Sequence, residues 1–176
     1  TTTPGSPLVP YLAEILAIPD HTGLTVEVIN TGKILTFKNM HLPPALESQW
    51  EGQALRSINE NPEVYRSETS FPESNVLIDP PTVFRDFRIA RVSVFPVRYT
   101  ASKNELQITS SITVRVSYGK GPVINPKNST RKKIAPSFGK IYRSSILNYQ
   151  EMLNAMYKGV EDGREVMLCI MPDNFY

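Results

Sequence analysis

The sequence holds a single cysteine, Cys169, and one thiol cannot build an internal disulfide framework. Cys169 lies inside an apolar run, where a thiol reads as a small buried hydrophobe. Histidine is nearly absent too: His21 and His41 have no neighbouring pair at metal-ligand spacing and read as loop or strand-end residues. No run approaches the ~18 apolar residues of a membrane-spanning helix. A phosphate-cradling glycine loop, a nucleophile elbow and a paired-cysteine metal site are all missing. No catalytic residue, cofactor or metal site is therefore assigned, and the chain by itself is not expected to be an enzyme. Glycine is scarce beside proline, 9 against 15, which together with short apolar runs favours an all-β fold. The 176 residues, 40% hydrophobic and 20% charged, suffice for one domain with a real core and a remnant of another. The opening Thr1-Thr2-Thr3-Pro4 lacks a methionine, so a preceding piece is expected to have been removed.

What is present is β patterning. Prolines at 4, 7, 10 and 19 surround Tyr11–Ile18, an extended lead into an edge strand. Leu24–Val28 and Ile34–Phe37 flank Asn30-Thr31-Gly32-Lys33, a hairpin signal. Residues 39–63 are rich in proline and polar side chains and read as irregular, with a turn at Glu60–Glu63; Trp50 there covers a core edge or joins a binding face. Val64-Tyr65 and Val76–Ile78 read as short strands. From Glu105 to Tyr118, apolar residues at 106, 108, 112, 114, 116 and 118 alternate with polar ones, broken at Ser110; one face lies in a core and the other in water. Phe84 to Tyr99 swaps its apolar parity twice, which suggests bulges or a strand crossing between two sheets. Thr100–Asn104 joins the two as a hairpin loop. The fold expected is an all-β, antiparallel, jelly-roll-like β-sandwich over 1–118.

Beyond Tyr118 the character changes. Residues 119–150 contain Lys120, Lys127, Arg131, Lys132, Lys133, Lys140 and Arg143 and no acidic residue. With Gly119, Gly121, Pro122, Pro126 and Pro136 in the same stretch, 119–144 reads as an extended basic linker or an arm hugging the surface. A short helix is expected over 145–158, with Ser145 as cap and Gly159 as stop. Val166 to Met171 is apolar at every position, the pattern of a strand buried on both faces in a parallel sheet. Residues 165–176 therefore read as the start of a truncated α/β domain, in which an unpartnered Val166–Met171 is expected to be disordered, to add to an edge, or to pair in a dimer. The chain is otherwise expected to be monomeric.

One local feature suggests a biochemical event. Ser129-Thr130-Arg131-Lys132-Lys133 is the kind of basic stretch that trypsin-like enzymes cut, because a protease threads several extended residues through its cleft. A solvated linker and an anchor for an acidic partner are the competing readings. Nucleic acid is not expected, since no aromatics interleave the cluster and the rest of the chain is net acidic.

The order of several segments resembles the propeptide of gingipain-type cysteine peptidases, secreted caspase-like enzymes of Bacteroidetes and related bacteria. The resemblance rests on Pro4–Pro10 with Ile18-Pro19, on Phe87–Tyr99 followed by Glu105-Leu106, on Ser137–Tyr142 and Ile146–Tyr149, and on Val166–Phe175 as the first strand of the catalytic domain. It implies a sandwich that packs on its own downstream catalytic domain, keeps the zymogen inactive and assists folding. It also implies a secreted or cell-surface bacterial protein that transits the periplasm, with the catalytic His and Cys beyond Tyr176. In that family a basic propeptide residue is offered to the specificity pocket; by chemistry Arg131, Lys132 and Lys133 are the candidates here, with Arg143 and Arg164 behind them. Thr100-Ala101-Ser102 stands where the family has an Asn-Pro turn. The rival reading is a β-sandwich that binds carbohydrate or a cell surface ahead of an unrelated enzyme.

Overall fold

The structure, a computed structural model, describes residues 3–46, 59–128, 134–158 and 166–170. Among the described residues ten strands dominate: β1 Leu12–Ile18, β2 Leu24–Thr31, β3 Ile34–Phe37, β4 Val76–Ile78, β5 Thr82–Phe84, β6 Phe87–Val94, β7 Val97–Thr100, β8 Glu105–Thr109, β9 Ile112–Tyr118 and β10 Val166–Ile170. Three helices accompany them, α1 Pro62–Tyr65, α2 Pro136–Ser145 and α3 Tyr149–Lys158. All strand pairs are antiparallel.

One sheet runs β1-β6-β4, with β5 on β6 beyond β4. It faces the sheet β10-β9-β2 across a core of Leu16, Val76, Val92 and Val94 from one side and Ile112, Val114 and Val116 from the other. The alternation of β9 is thus what builds the sandwich: residues 112, 114 and 116 are at most 2% exposed. A third sheet, β3-β8-β7, closes a second core of Tyr99 and Leu106 with Val9 and Phe95.

The expected hairpin at residues 24–37 does not form. β2 pairs with β9 and β3 with β8, so residues 24–37 make one long, bent run alongside 106–118. The bend is tied by Gly32 N–H donating to the Ser111 carbonyl and Ser110 N–H to that of Lys33. A Cβ on Gly32 would meet both serine hydroxyls. The Asn/Gly signal therefore marks close approach of two bent strands, and the expected break at Ser110 is the matching bend.

The parity swaps of Phe84–Tyr99 have two causes. Within β6 both faces are covered, since Val92 and Val94 enter the sandwich core while Phe87 and Ile89 meet the helices. At Phe95-Pro96 the chain then leaves one sheet and enters the other as β7. Thr100–Asn104 joins β7 to β8 through a short 3-10 turn, with Asn104 left-handed at φ 47°.

Three local expectations are corrected. Val64-Tyr65 is not a strand but the last two residues of α1, a helix whose start is capped by the Asn61 side chain. The stretch 119–144 is extended only in part, because α2 begins at Pro136, where proline suits a first helical turn. The later helix starts at Tyr149, and Ser145 ends α2 instead of capping α3. Trp50 lies outside the described residues.

Candidate functional site

Arg131, Lys132, Lys133 and Arg164 lie outside the described residues, but the chain on both sides of the 129–133 cluster is fixed to the sandwich. On the upstream side the arm lies across the β1–β2 loop. Gly119 N–H donates to the Gly23 carbonyl and Lys127 N–H to that of Asp20. A Cβ on Gly23 would run into the carbonyl oxygens of Lys120 and Gly121, so only glycine lets the two backbones lie this close.

Arg88 locks this crossing. It stands on the core-facing row of β6 and is 0% exposed. Its Nη1 donates to the carbonyls of Pro19 and Thr22, both at 2.8 Å, and its Nε to those of Ile124 and Asn125 at 3.1 Å. One planar guanidinium thus joins β6, the β1–β2 loop and the arm, a task suited to its fixed fork of donors. Burial lowers the Arg88 pKa, and the nearby Asp20 carboxylate opposes that shift. Asp20 also receives Lys127 Nζ at 3.3 Å, with the lysine side chain 2% exposed. Asn125 Nδ2 donates to the Pro81 carbonyl at 2.7 Å.

On the downstream side α2 and α3 strap the outer face of the β1–β6 sheet. Tyr142, Ile146 and Tyr149 bury themselves against Ala17 and Phe87. The Tyr142 ring meets Phe84 and Phe87 edge-on, with centroids 5.5 and 5.0 Å apart. Its hydroxyl donates to Asp86 Oδ2 at 2.7 Å. Burial first, then the bond to Asp86 and its charge, push the Tyr142 pKa up to about 12. Arg85 turns left-handed (φ 52°) in the two-residue connection from β5 to β6 and lies 3.5 Å over the Phe138 ring.

Between the helices Asn148 acts as a strand in miniature. Its Oδ1 accepts from Ala17 N–H and its Nδ2 donates to the Ala17 carbonyl, both at 2.8 Å. Leu147 N–H donates to the Ile15 carbonyl. β1, an edge strand as its prolines suggest, is covered in this way. Arg143 is exposed on the last turn of α2.

His41 is exposed beside Glu60, with Nε2 3.1 Å from Oε1. Among the described residues no three His, Cys, Asp or Glu side chains gather as a metal site, and no described helix is long and apolar enough to cross a membrane. The sequence reading missed Arg88, Asp86, Tyr142 and Asn148 as anchors. An arginine amid the apolar residues of 87–99 was the one available signal.

The polar and charged groups gathered here pair with the chain's own segments and hold its linker against the sandwich. The chain belongs to the family Propeptide_C25, whose model matches residues 1–157. It is similar to gingipain R2 of Porphyromonas gingivalis (strain ATCC BAA-308 / W83), 27% identical over 97% of this chain and 23% of that protein. It is also similar to gingipain R1 of Porphyromonas gingivalis, 27% identical over 93% of this chain and 16% of that protein. The chain thus spans less than a quarter of the length of these relatives.

Among solved structures it resembles the complex of Porphyromonas gingivalis RgpB pro- and mature domains, with a TM-score of 0.68 and 23% identity over 84% of this chain and 74% of that one. A structure addressing the zymogenic latency of gingipain K from the same organism gives a TM-score of 0.55 and 23% identity, covering 67% of each chain. The all-β sandwich and the propeptide assignment agree with the sequence reading.

Proposed function

We propose that this propeptide keeps a downstream caspase-like cysteine peptidase domain latent and assists its folding, in a bacterial protein that is secreted or held at the cell surface. The sandwich docks beside the catalytic cleft, and the stretch carrying Arg131, Lys132 and Lys133 lies across it. The observation that carries this reading is the double anchorage within a propeptide-family chain: Lys127 and Arg88 hold one side of the cluster, and the α2–α3 strap holds the other. A basic segment tethered at both ends is offered to an acidic pocket but resists being drawn into a cleavable register. Covalent continuity keeps inhibitor and enzyme at high effective concentration until the 119–165 segment is cut. A carbohydrate platform would need several exposed aromatics side by side, whereas among the described aromatic residues Phe37 alone is exposed and Phe87, Phe95, Tyr99, Tyr142 and Tyr149 are buried.

The test titrates this chain into the separately expressed downstream domain with a chromogenic peptide substrate. Saturable inhibition is expected, weakened about tenfold or more when Arg131, Lys132 and Lys133 are all replaced by alanine. Full inhibition by the triple variant would move the blocking element elsewhere. The next stretch to try is 47–58, which carries Arg56 and is bounded by Ala45 and Asn61, both hydrogen-bonded to the Gly5 backbone. No inhibition by folded chain would end the latency reading.

A further inference from the structure

The strand that follows the propeptide is paired with the propeptide's own sheet, and its sequence does not suit that place. β10 adds to β9 with Val166 opposite Val116, Leu168 opposite Val114 and Ile170 opposite Ile112. Opposed residues of an antiparallel pair share a face, so these three positions fall on the row that builds the sandwich core. Met167 and Cys169 are opposite Arg115 and Thr113, on the outer face. There Arg115 Nη1 approaches Glu27 Oε1 at 3.2 Å, and the row is polar. A strand on a half-buried sheet needs apolar residues at alternate positions only. β10 carries them at both parities, which is the pattern of a strand covered on both faces. The family match ends at residue 157, so β10 lies beyond the propeptide proper. It is joined to α3 by residues 159–165, which are mostly glycine and charged residues.

Resting on the propeptide reading above, we infer that the outer edge of β9 is a holding site for the first strand of the following domain. The edge shelters Val166–Ile170 from aggregation as the chain is made, and releases it when a sheet able to cover both its faces becomes available. Main-chain hydrogen bonds supply the affinity, and 166, 168 and 170 stand opposite 116, 114 and 112 in the register. The mismatch at 167 and 169 keeps the hold weak enough to be surrendered. This gives the folding aid a physical form: a strand passed from one sheet to another.

The register supplies the test. Thr113 and Cys169 are directly opposed, and such pairs have Cα atoms about 4.5–5.5 Å apart, within reach of a disulfide. The Thr113→Cys variant of this chain, oxidised with glutathione disulfide, is expected to form an internal cross-link from position 113 to Cys169, mapped by mass spectrometry; adding Cys169→Ser abolishes it. In the full-length precursor the same link is expected when oxidant is present during refolding and is lost when oxidant is added after folding. Precursor locked by the link is expected to lack a protease-resistant downstream domain until it is reduced. A second pair, Arg115→Cys with Met167→Cys in a Cys169→Ser background, repeats the measurement should the first variant fold poorly. No link in this chain would refute the pairing, and an equal yield in folded precursor would refute the release. Both are read from cross-links rather than enzyme rates, so they stand apart from any failure of inhibition in trans.

Discussion

Arg88 occupies a position that an alternating strand would give to an apolar residue. It follows the row of Ala90, Val92 and Val94 to the end of the sandwich, where the core gives way to the carbonyls of Pro19, Thr22, Ile124 and Asn125. An unmet carbonyl in such a place costs about 1–3 kcal/mol, and a single guanidinium meets four. Arg88→Met keeps much of the volume but removes every donor. We expect it to lower unfolding free energy by about 3 kcal/mol, less than four independent losses because some carbonyls will reach water once the arm lifts. Arg88→Lys should recover only part of that, since an ammonium on a flexible stem cannot span both sides of the crossing. Urea unfolding measures it: a lower midpoint for both variants, with methionine worse than lysine. Equal stability of the methionine variant would show that the arm is held without Arg88.

The α2–α3 strap is an element whose attachment responds to pH, as is α1, where burial and then Glu60 raise Tyr65 to about 12. A tyrosine whose folded pKa is raised stabilises the fold fully below the unfolded value of 10 and loses that contribution as pH climbs through the folded value. Tyr142 and Tyr118 are both raised to about 12. Tyr142 is raised by burial and Asp86; Tyr118 is raised by burial and Glu151, against the opposing hydrogen bond from Asn148. The strap should therefore hold unchanged up to about pH 10 and lift between 10 and 12, with tyrosinate absorbance rising as helical circular dichroism falls. Tyr142→Phe should blunt that alkaline loss, leaving the Tyr118 and Tyr65 parts, while costing about 1 kcal/mol at neutral pH through the bond lost to Asp86. A strap that loosens well below pH 10 would contradict the assignment.

At this scale the sequence was legible wherever a single face was buried. β9 reads directly from its alternation, and the β6–β7 crossing from the parity change at Phe95. The strap was legible only in its second half: the helix expected over 145–158 is α3 with a later start, whereas Pro136 and Gly139 made α2 look like linker, and Asn148 stays out of the helix because its amide serves the edge of β1. The hairpin signal at Asn30–Lys33 misled because glycine there answers to a close approach between distant strands, a demand that local propensity does not reveal.

For the whole molecule, the two anchors mean that a cut at 129–133 does not separate what it cleaves. The sandwich with its arm lies on one side of the cut, and the strap with everything after it on the other. The strap sinks Tyr142, Ile146 and Tyr149 to between 0% and 6% exposure, and each large side chain so buried contributes about 1.5–3 kcal/mol. Asn148 and Tyr142 add buried hydrogen bonds to Ala17 and Asp86. Against the ordering already present in the folded state, that is enough to keep the two pieces together after the peptide bond is gone. On the latency proposed above, activation through this stretch would be a two-stage event, a nick followed by release, with activity gained only at the second stage. A precursor with a specific protease site placed within 129–133 tests this directly. After complete cleavage the fragments should co-elute in gel filtration and the peptidase should stay latent, with release following either alkaline lifting of the strap or a further cut beyond Lys158. Fragments that elute apart, or activity that rises in step with the first cut, would show that the 129–133 connection itself, and not the strap, holds the inhibitor in place.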